Sequence, residues 1–476
     1  MDLTDPGTRA AVTARLGRLY AGRPVLLGPG VLAAYTPYVG WLRELGCRTL
    51  AVSTARGAGA LPDPDDCTVV EVTPPATASV TDELRLLDRF ARRLPPDAVA
   101  AIEAFDPDRR GRWLTNAFVT TDEPILGRPV SGGRPASFLA LEDKLLAEEV
   151  WAAAGVRAAP HRVVAVDTEA PVALAALERA GAEVGAAPAR PGPPGVVWSG
   201  DARDGFNGGG NYVRWVVDAH ERAAALAFFA PRCDRVRVLP FLEGVPCSIH
   251  GFVLPDGTAA LRPVEIAMLR DETGHRFVYG GLGTTWDPPA ADREEMRDVV
   301  RRVGAHLQAA HCYRGAFGID GVLTTDGFLP TELNSRMSAG LTTVTEVDRQ
   351  FFTWLQHNLV EGIDTGLRVA DIEALVPLMD ATRSAKVVAL AEDVRLGRSD
   401  SFPVAWDGRA FTRADADTGS TLAVADTPTG LFARIDPCPV LPPGRRLAEV
   451  NVALLALLDR EYGSHFCALS VAPDVR

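Results

Sequence analysis

The residues of this 476-residue chain best suited to chemistry lie between Arg314 and Arg336, where Asp320, Glu332, Asn334 and Arg336 fall in a stretch patterned like a β-hairpin. Glu332 and Asn334 are two apart, which on a strand puts both side chains on one face. If Thr325, Asp326 and Gly327 form a three-residue loop with Gly327 in the left-handed region, Thr324 pairs with Phe328 and Asp320 lies across from Glu332. A two-residue loop would turn Asp320 to the opposite face. In the first arrangement two carboxylates and one amide carbonyl converge, a set of hard oxygen donors that suits octahedral Mg2+ and leaves positions for water and phosphate oxygens. Arg336, two residues further, would share that face and hold a phosphoryl or carboxylate group through its planar fork. The alternative is a solvated hairpin whose acidic residues only keep an edge soluble.

Two other segments carry residue types of the same chemistry. The basic residues are nearly all arginine, with lysine only at Lys144 and Lys386. A lysine kept in such a chain points to a place where a compact ammonium is needed, since arginine's fork is no equivalent for gripping one phosphate oxygen. Lys144 has the surroundings for this role, following Glu142 and Asp143; for Lys386 the expectation is that arginine would serve as well. The second segment is the run from Gly205 to Asn211, in which Gly208, Gly209 and Gly210 are consecutive.

The elements that must position these residues read as mixed α/β. Pro24 to Leu27 is a buried strand entering Gly28-Pro29-Gly30, a helical stretch carries Trp41, Leu42 and Leu45 to Gly46, and Thr49 to Ser53 is the next strand. The third glycine and the acidic ribose ligand of a dinucleotide fingerprint are missing, so Gly28-Pro29-Gly30 reads as a tight strand-to-helix turn. Val99 to Ile102 reads as a further short strand. Leu139 to Ala154 is helical in composition with Gly155 as its stop, and His161 to Val166 follows as a strand. Gly181 to Gly195 is an irregular connection rich in Ala, Pro and Gly, after which Val196 to Trp198 delivers the glycine-rich loop. Val236 to Leu239, Ser248 to Leu254 and Gly315 to Leu333 are strands, Ala290 to Cys312 is a long helix, and from about Thr365 a separate unit begins that closes with the helix Ala448 to Tyr462.

Composition removes several classes of function. Lys and Arg number 49 against 61 Asp and Glu, a net charge of −12, which argues against a surface that neutralises nucleic-acid phosphates. The longest apolar runs, Ala223 to Ala230 and Val452 to Leu458, fall far short of the roughly 20 residues of a membrane helix, and the start Met1-Asp2 lacks a basic region. The expectation is no membrane partner and a cytoplasmic location. Seven cysteines without C-x-x-C spacing indicate neither a disulfide framework nor a zinc site. Cys247 reads as a packed small hydrophobe, His250 as a packed or hydrogen-bonded core histidine, and His306 and His311 as ordinary helix residues. Arg262, Arg270 and Arg276 read either as lining of a carboxylate-binding loop or as solvated arginines.

Taken in order, these segments resemble the ATP-grasp superfamily. The Asp320 hairpin with Glu332, Asn334 and Arg336 is similar to the family's metal-binding strands; Glu142-Asp143-Lys144 to the segment whose lysine approaches the ATP phosphates; Asn207-Gly208-Gly209-Gly210 to its phosphate-covering loop; and Leu239-Pro240-Phe241-Leu242-Glu243-Gly244 to its adenine hinge. The resemblance spans Ser131 to about Asp364. It implies an α/β (α+β) ATP-grasp fold with a pre-ATP-grasp α/β domain at 1–130, a first subdomain with the glycine-rich loop at 131–234, a catalytic and metal-binding subdomain at 235–364, and a small C-terminal α+β domain at 365–476. It further implies ATP and Mg2+ as cofactors, with Asp320, Glu332 and Asn334 on the metal. Lys144, Asn207, Gly208, Gly209, Gly210, Leu239, Phe241, Leu242 and Glu243 would bind the nucleotide, and Arg336 and Lys144 would be catalytic. Two departures stand out. The family's second phosphate-binding lysine, at the end of the strand before the glycine loop, is replaced by Trp198-Ser199, leaving the role unfilled or to Arg203; and Val245-Pro246 displaces the acidic residue after the hinge glycine, leaving Glu243 for the ribose.

The activity implied is that of an ATP-dependent carboxylate-amine ligase working through an acyl phosphate. The Trp198-Ser199-Gly200-Asp201 and Asn207 to Gly210 segments with the added C-terminal unit are similar to peptide ligases of natural-product antibiotic pathways, of the pheganomycin-ligase type. A carrier-protein thiol as acceptor, a small-molecule kinase and a non-turnover nucleotide-binding regulator are the competing expectations. Many members of the family are dimers, so a homodimer is an expectation of the resemblance alone.

Overall fold

The computed structural model describes residues 1–166, 170–185, 195–203, 205–208, 210–392, 394–416, 418–466 and 468–476. Gly209, most of the connection at 181–195 and Cys467 therefore lie outside the described residues. The N-terminal part is a five-stranded parallel sheet in the order Cys67–Glu71, Arg48–Ala55, Pro24–Val31, Arg112–Leu114, Val130–Ser131. Its first crossover is the helix Thr36–Glu44, as the β-α-β reading expected. Val99 to Ile102, read as a strand, lies inside the helix Pro96–Phe105 instead. Proline is pre-organised for a first helical turn, and Ala98, Ala100, Ala101 and Ala104 carry the best helix propensity, which outweighs the short apolar run.

The helical composition of Leu139 to Ala154 is not one helix. Ala136–Leu139 continues as a 3-10 turn over Ala140–Glu142, Asp143 turns extended, and a new helix runs Leu146–Ala153. Asp143 Oδ1 accepts from Leu145 N at 2.8 Å, a local bond that offers the backbone an alternative to the helix. The break leaves Lys144 on neither helix.

Beyond it an antiparallel sheet in the order Arg162–Ala165, Arg235–Pro240, Val196–Gly200, Val213–Val216 packs the helices Ala170–Gly185 and Ala219–Phe229 through Trp198, Phe229, Val236 and Val238. The hairpin strands Gly315–Thr324 and Gly327–Asn334 open a larger sheet, followed in space by Val245–Leu254, Val264–Asp271 and Arg276–Gly283. The helix Ala290–His311 covers one face with Met296, Val299, Val303 and Leu307, and ends on left-handed Cys312. Arg276–Gly283 pairs with Ala385–Ala391, so the strands after residue 365 extend this sheet to twelve strands and do not form a sheet of their own. The helix Leu447–Tyr462 closes that end. No helix among the described residues is long and apolar enough to cross a membrane.

Candidate active site

The hairpin sets the site, by a route different from the one expected. Thr324 pairs with Gly327, Leu323 with Phe328 and Gly321 with Pro330, so the turn has two residues and parity alone would send Asp320 away from Glu332. A bulge at Thr331 restores the pairing, and Asp320 faces Glu332 with Asn334 opposite Gly318. The bulge is held from both sides: Thr331 Oγ1 donates to the Asp320 carbonyl at 3.2 Å, and Arg237 Nη2 donates to the Thr331 carbonyl at 3.0 Å.

Asp320 accepts from Ser248 Oγ at 2.6 Å and from Asn334 Nδ2 at 2.9 Å. Burial and the negative charge of Glu332 push its carboxyl up to about 6, against the lowering effect of Ser248, Arg336 and Asn334. Glu332 forms an ion pair with the buried Lys144. A buried carboxylate whose proton affinity is raised by a second carboxylate beside it, with an adjacent amide, fits a hard divalent cation, because a 2+ charge relieves the repulsion that burial amplifies. Among the described residues no group of three or more His, Cys, Asp or Glu stands together as a metal site.

Around this pair stand Arg134, Arg237 and Arg336, of which the hairpin pattern points only to Arg336. Glu142, 4 % exposed, bridges Arg134 and Arg336, and Arg134 also donates to Ser335 O at 3.1 Å. Burial alone would raise the Glu142 carboxyl, but the two guanidinium groups hold it below the ordinary range. Arg336 is thereby anchored on one side, and on the other its guanidinium carbon lies 4.9 Å from the Phe118 ring and 5.6 Å from the Phe206 ring. Arg237, 2 % exposed, donates to Glu148 at 2.6 Å, to Ser199 Oγ at 3.1 Å and to Thr331 O. Burial lowers its pKa against the favourable charge of Glu148. Ser199 stands where the resemblance expects a second lysine, and Arg237 on the neighbouring strand brings a guanidinium beside it. Arg203 turns outward to Asp234 at 3.2 Å and to the Pro231 carbonyl. An arginine inside the apolar run Val236 to Leu239 was the available signal for Arg237.

The glycine-rich loop and the hinge are more engaged than their composition suggests. Asn207 is buried, its amide donating to the Gly200 carbonyl at 3.0 Å and to the Asp201 carbonyl, its Oδ1 accepting from Arg85 at 2.6 Å. A Cβ on Gly208 would meet the Phe206 ring, whereas Gly210 has φ +78° and open space. A cavity of about 310 Å³ lies between this loop and the Lys144 segment, bounded by Ala140, Asp143, Ala202, Gly205 and Phe206. A second cavity, about 420 Å³, lies away from the carboxylates, between Arg56 to Leu61 and the C-terminal strands. At the hinge, Leu239 and Leu242 pack with Ala159, Val322 and Leu329, and Phe241 packs on Trp215 at 4.7 Å. Glu243, expected at the ribose, is committed to Arg270 at 2.7 Å. Gly244, at φ +145°, lies so close to the neighbouring strand that a Cβ would run into the Leu323 carbonyl oxygen.

Several other expectations are placed by the same geometry. Arg262 is buried against Asp287 at 2.9 Å and Asp380 at 3.3 Å, and Arg276 pairs with Asp271 at 2.8 Å. Burial pushes the Cys247 thiol up, consistent with a packed hydrophobe. His250 is buried, held neutral by a pKa pushed down to about 3, and joins Ser248 at 3.1 Å to Ser338 at 2.9 Å.

The fold has counterparts among solved structures. A carboxyaminoimidazole ribonucleotide synthase from Aspergillus clavatus, complexed with ATP, matches 92 % of this chain and 98 % of its own at 12 % identity and a TM-score of 0.51. Pyruvate carboxylase from Rhizobium etli matches 94 % of this chain with 38 % of its own, at 15 % identity and a TM-score of 0.51. The chain has the ATP-grasp fold. An L-amino acid ligase from Bacillus licheniformis matches 92 % of this chain and 97 % of its own at 13 % identity and a TM-score of 0.49. No protein-family model matches the sequence, and no curated protein matches it. Within the ATP-grasp fold the described residues bring Lys144, Asp320, Glu332, Asn334 and Arg336 to one place from two segments nearly 200 residues apart in the chain, with Lys144 ion-paired to Glu332 and Arg336 to Glu142.

Proposed function

We propose that the protein is an ATP-dependent ligase that joins a carboxylate to an amine. One observation carries the reading: on an ATP-grasp fold, a facing carboxylate pair, a buried lysine and an anchored arginine converge beside the glycine-rich loop. A carboxylate is a poor electrophile at neutral pH. Attack of its oxygen on the γ-phosphorus breaks the bond to ADP and yields an acyl phosphate; the amine nitrogen then attacks the carbonyl carbon, loses a proton and expels inorganic phosphate.

Lys144 and Arg237 are the cations for the triphosphate. Arg237 uses three of its five N–H donors on Glu148, Ser199 and Thr331, which leaves two for phosphate oxygens. Arg336 faces the transferring group and stabilises charge on it and on the tetrahedral centre that follows. Mg2+ would be held by Asp320, Glu332 and Asn334 and would supply neutralisation of the phosphate charge. Leu239, Phe241 and Leu242 offer an apolar hinge for the base, and Gly208, Gly209 and Gly210 the cover of the phosphates. Location in the cytoplasm, the four domain limits and a homodimer belong to the same reading.

The substrates we propose are an amino acid or short peptide on each side, as in peptide ligases of natural-product pathways. What supports this is the sequence of the Trp198 to Asp201 and Asn207 to Gly210 segments together with the C-terminal extension of the sheet. The test is ADP release over a panel of amino acids, short peptides and their amides. A ligase requires both a carboxylate and an amine; release that depends on one alcohol alone, or ATP binding without turnover against the whole panel, would overturn the reading.

A further inference from the structure

The glycine-rich loop is gripped by a helix of the N-terminal domain. Thr81 and Arg85, four residues apart on the helix Val80–Ala91, share a face. Arg85 Nε donates to the Phe206 carbonyl at 2.6 Å, Nη2 to the Gly205 carbonyl at 3.1 Å and to Asn207 Oδ1 at 2.6 Å, and Nη1 to the Tyr212 hydroxyl at 3.1 Å. Its guanidinium carbon lies 4.9 Å from the centre of the Tyr212 ring. Thr81, fully buried, donates to the Gly208 carbonyl and to Asn211 Oδ1 at 3.2 Å. No carboxylate among the described residues pairs with Arg85, so its charge is directed at the loop. The grip reaches the active site through Phe206. That ring packs on Phe118 of the N-terminal domain at 4.8 Å, and the two rings together roof the guanidinium of Arg336.

We propose that Arg85 is a positioning residue, which latches the glycine-rich loop to the N-terminal domain and, through Phe206, holds Arg336 where the phosphoryl group transfers. A glycine-rich backbone loses more freedom on ordering than any other. Bonds from a charged donor to two carbonyls, an amide and a hydroxyl offset that cost before nucleotide arrives. The described residues of the loop are therefore held by the N-terminal domain and not by ATP phosphates alone. The proposal rests on the ligase reading only for the role of Arg336.

The experiment is hydrogen exchange of the full chain without nucleotide, paired with the Kd of a non-hydrolysable ATP analogue. Arg85→Met should raise exchange of the amides at 205–212 tenfold or more, leave the helix Ala290–His311 unchanged and weaken the analogue about tenfold. Arg85→Lys should not rescue, because one ammonium cannot span the four acceptors. Phe206→Leu keeps the backbone acceptors of Arg85, so it should leave exchange low yet weaken the analogue about fivefold. Equal loop exchange in the wild type and Arg85→Met overturns the latch, whatever the enzyme's activity. A loose loop in Arg85→Met with unchanged analogue affinity, or unchanged affinity in Phe206→Leu, overturns the link to Arg336. A wild type that does not bind the analogue overturns the ligase reading instead, while the exchange result still decides the latch.

Discussion

Replacing Arg237 by Met separates what that side chain does for the fold from what it does for ATP. Its partner Glu148 is 7 % exposed, and the other described group within ion-pair distance is His161 at 3.4 Å, which is charged only when protonated. Removing one member of a buried ion pair strands the other, at a cost of about 3–5 kcal/mol. The Arg237→Met variant should lose about that much in urea unfolding. Replacing both members, Arg237→Met with Glu148→Met, removes the stranded charge and should restore stability to within about 1–2 kcal/mol of the wild type, since apolar side chains of similar volume refill the space. ATP binding should not return. A hydrogen bond to a charged group is worth about 1.5–3 kcal/mol, so the double variant should bind a non-hydrolysable ATP analogue roughly 10- to 150-fold more weakly by calorimetry. A stable double variant that binds the analogue within threefold of the wild type would show that Arg237 holds the bulge and Glu148 and never meets a phosphate. A single variant as stable as the wild type would refute the buried-pair argument itself.

Glu332→Ala and Asn334→Ala should each lower Mg2+-dependent ADP formation by about a hundredfold or more, on the order of 3 kcal/mol, with circular dichroism unchanged; near-normal turnover with normal Mg2+ dependence removes them from the metal site. Lys144→Arg keeps the charge but sets a wide fork against Glu332 in a buried space, so nucleotide affinity should fall despite the conserved sign. Lys386 is not the neutral position its sequence suggested: it is largely buried, donates to Thr342 Oγ1 at 2.7 Å, and burial together with Arg349 and Arg434 pushes its pKa down to about 8. A base whose pKa is lower in the folded state destabilises the fold while both states are protonated, and that penalty disappears as pH rises through the folded value toward the unfolded one near 10.4. The gain in urea stability from Lys386→Met should thus be largest at pH 7 and shrink by pH 10; a gain independent of pH would refute the assignment. Gly244→Ala should destabilise the hinge measurably in the same assay, because its Cβ meets the Leu323 carbonyl oxygen at a φ that L residues rarely adopt.

Periodicity and residue type alone placed Glu332 and Asn334 on one face, singled out Lys144 among the arginines, located the glycine run, and identified the β-α-β opening and the long helix that ends at Cys312. These features are encoded within a few residues of each other, where alternation, propensity and turn chemistry act. The pairing of Asp320 with Glu332 was open in the sequence, because one residue of register decides it and local preference allowed either turn length. Tertiary structure decided it through the Thr331 bulge, whose carbonyl is held by Arg237 from a strand more than 90 residues away in sequence. The bridging of Arg134 and Arg336 by Glu142, the commitment of Glu243 to Arg270 and the grip of Arg85 on the loop are of the same kind. A buried charge takes whichever partner packing brings within about 3 Å, and no periodicity in the chain records which partner that will be.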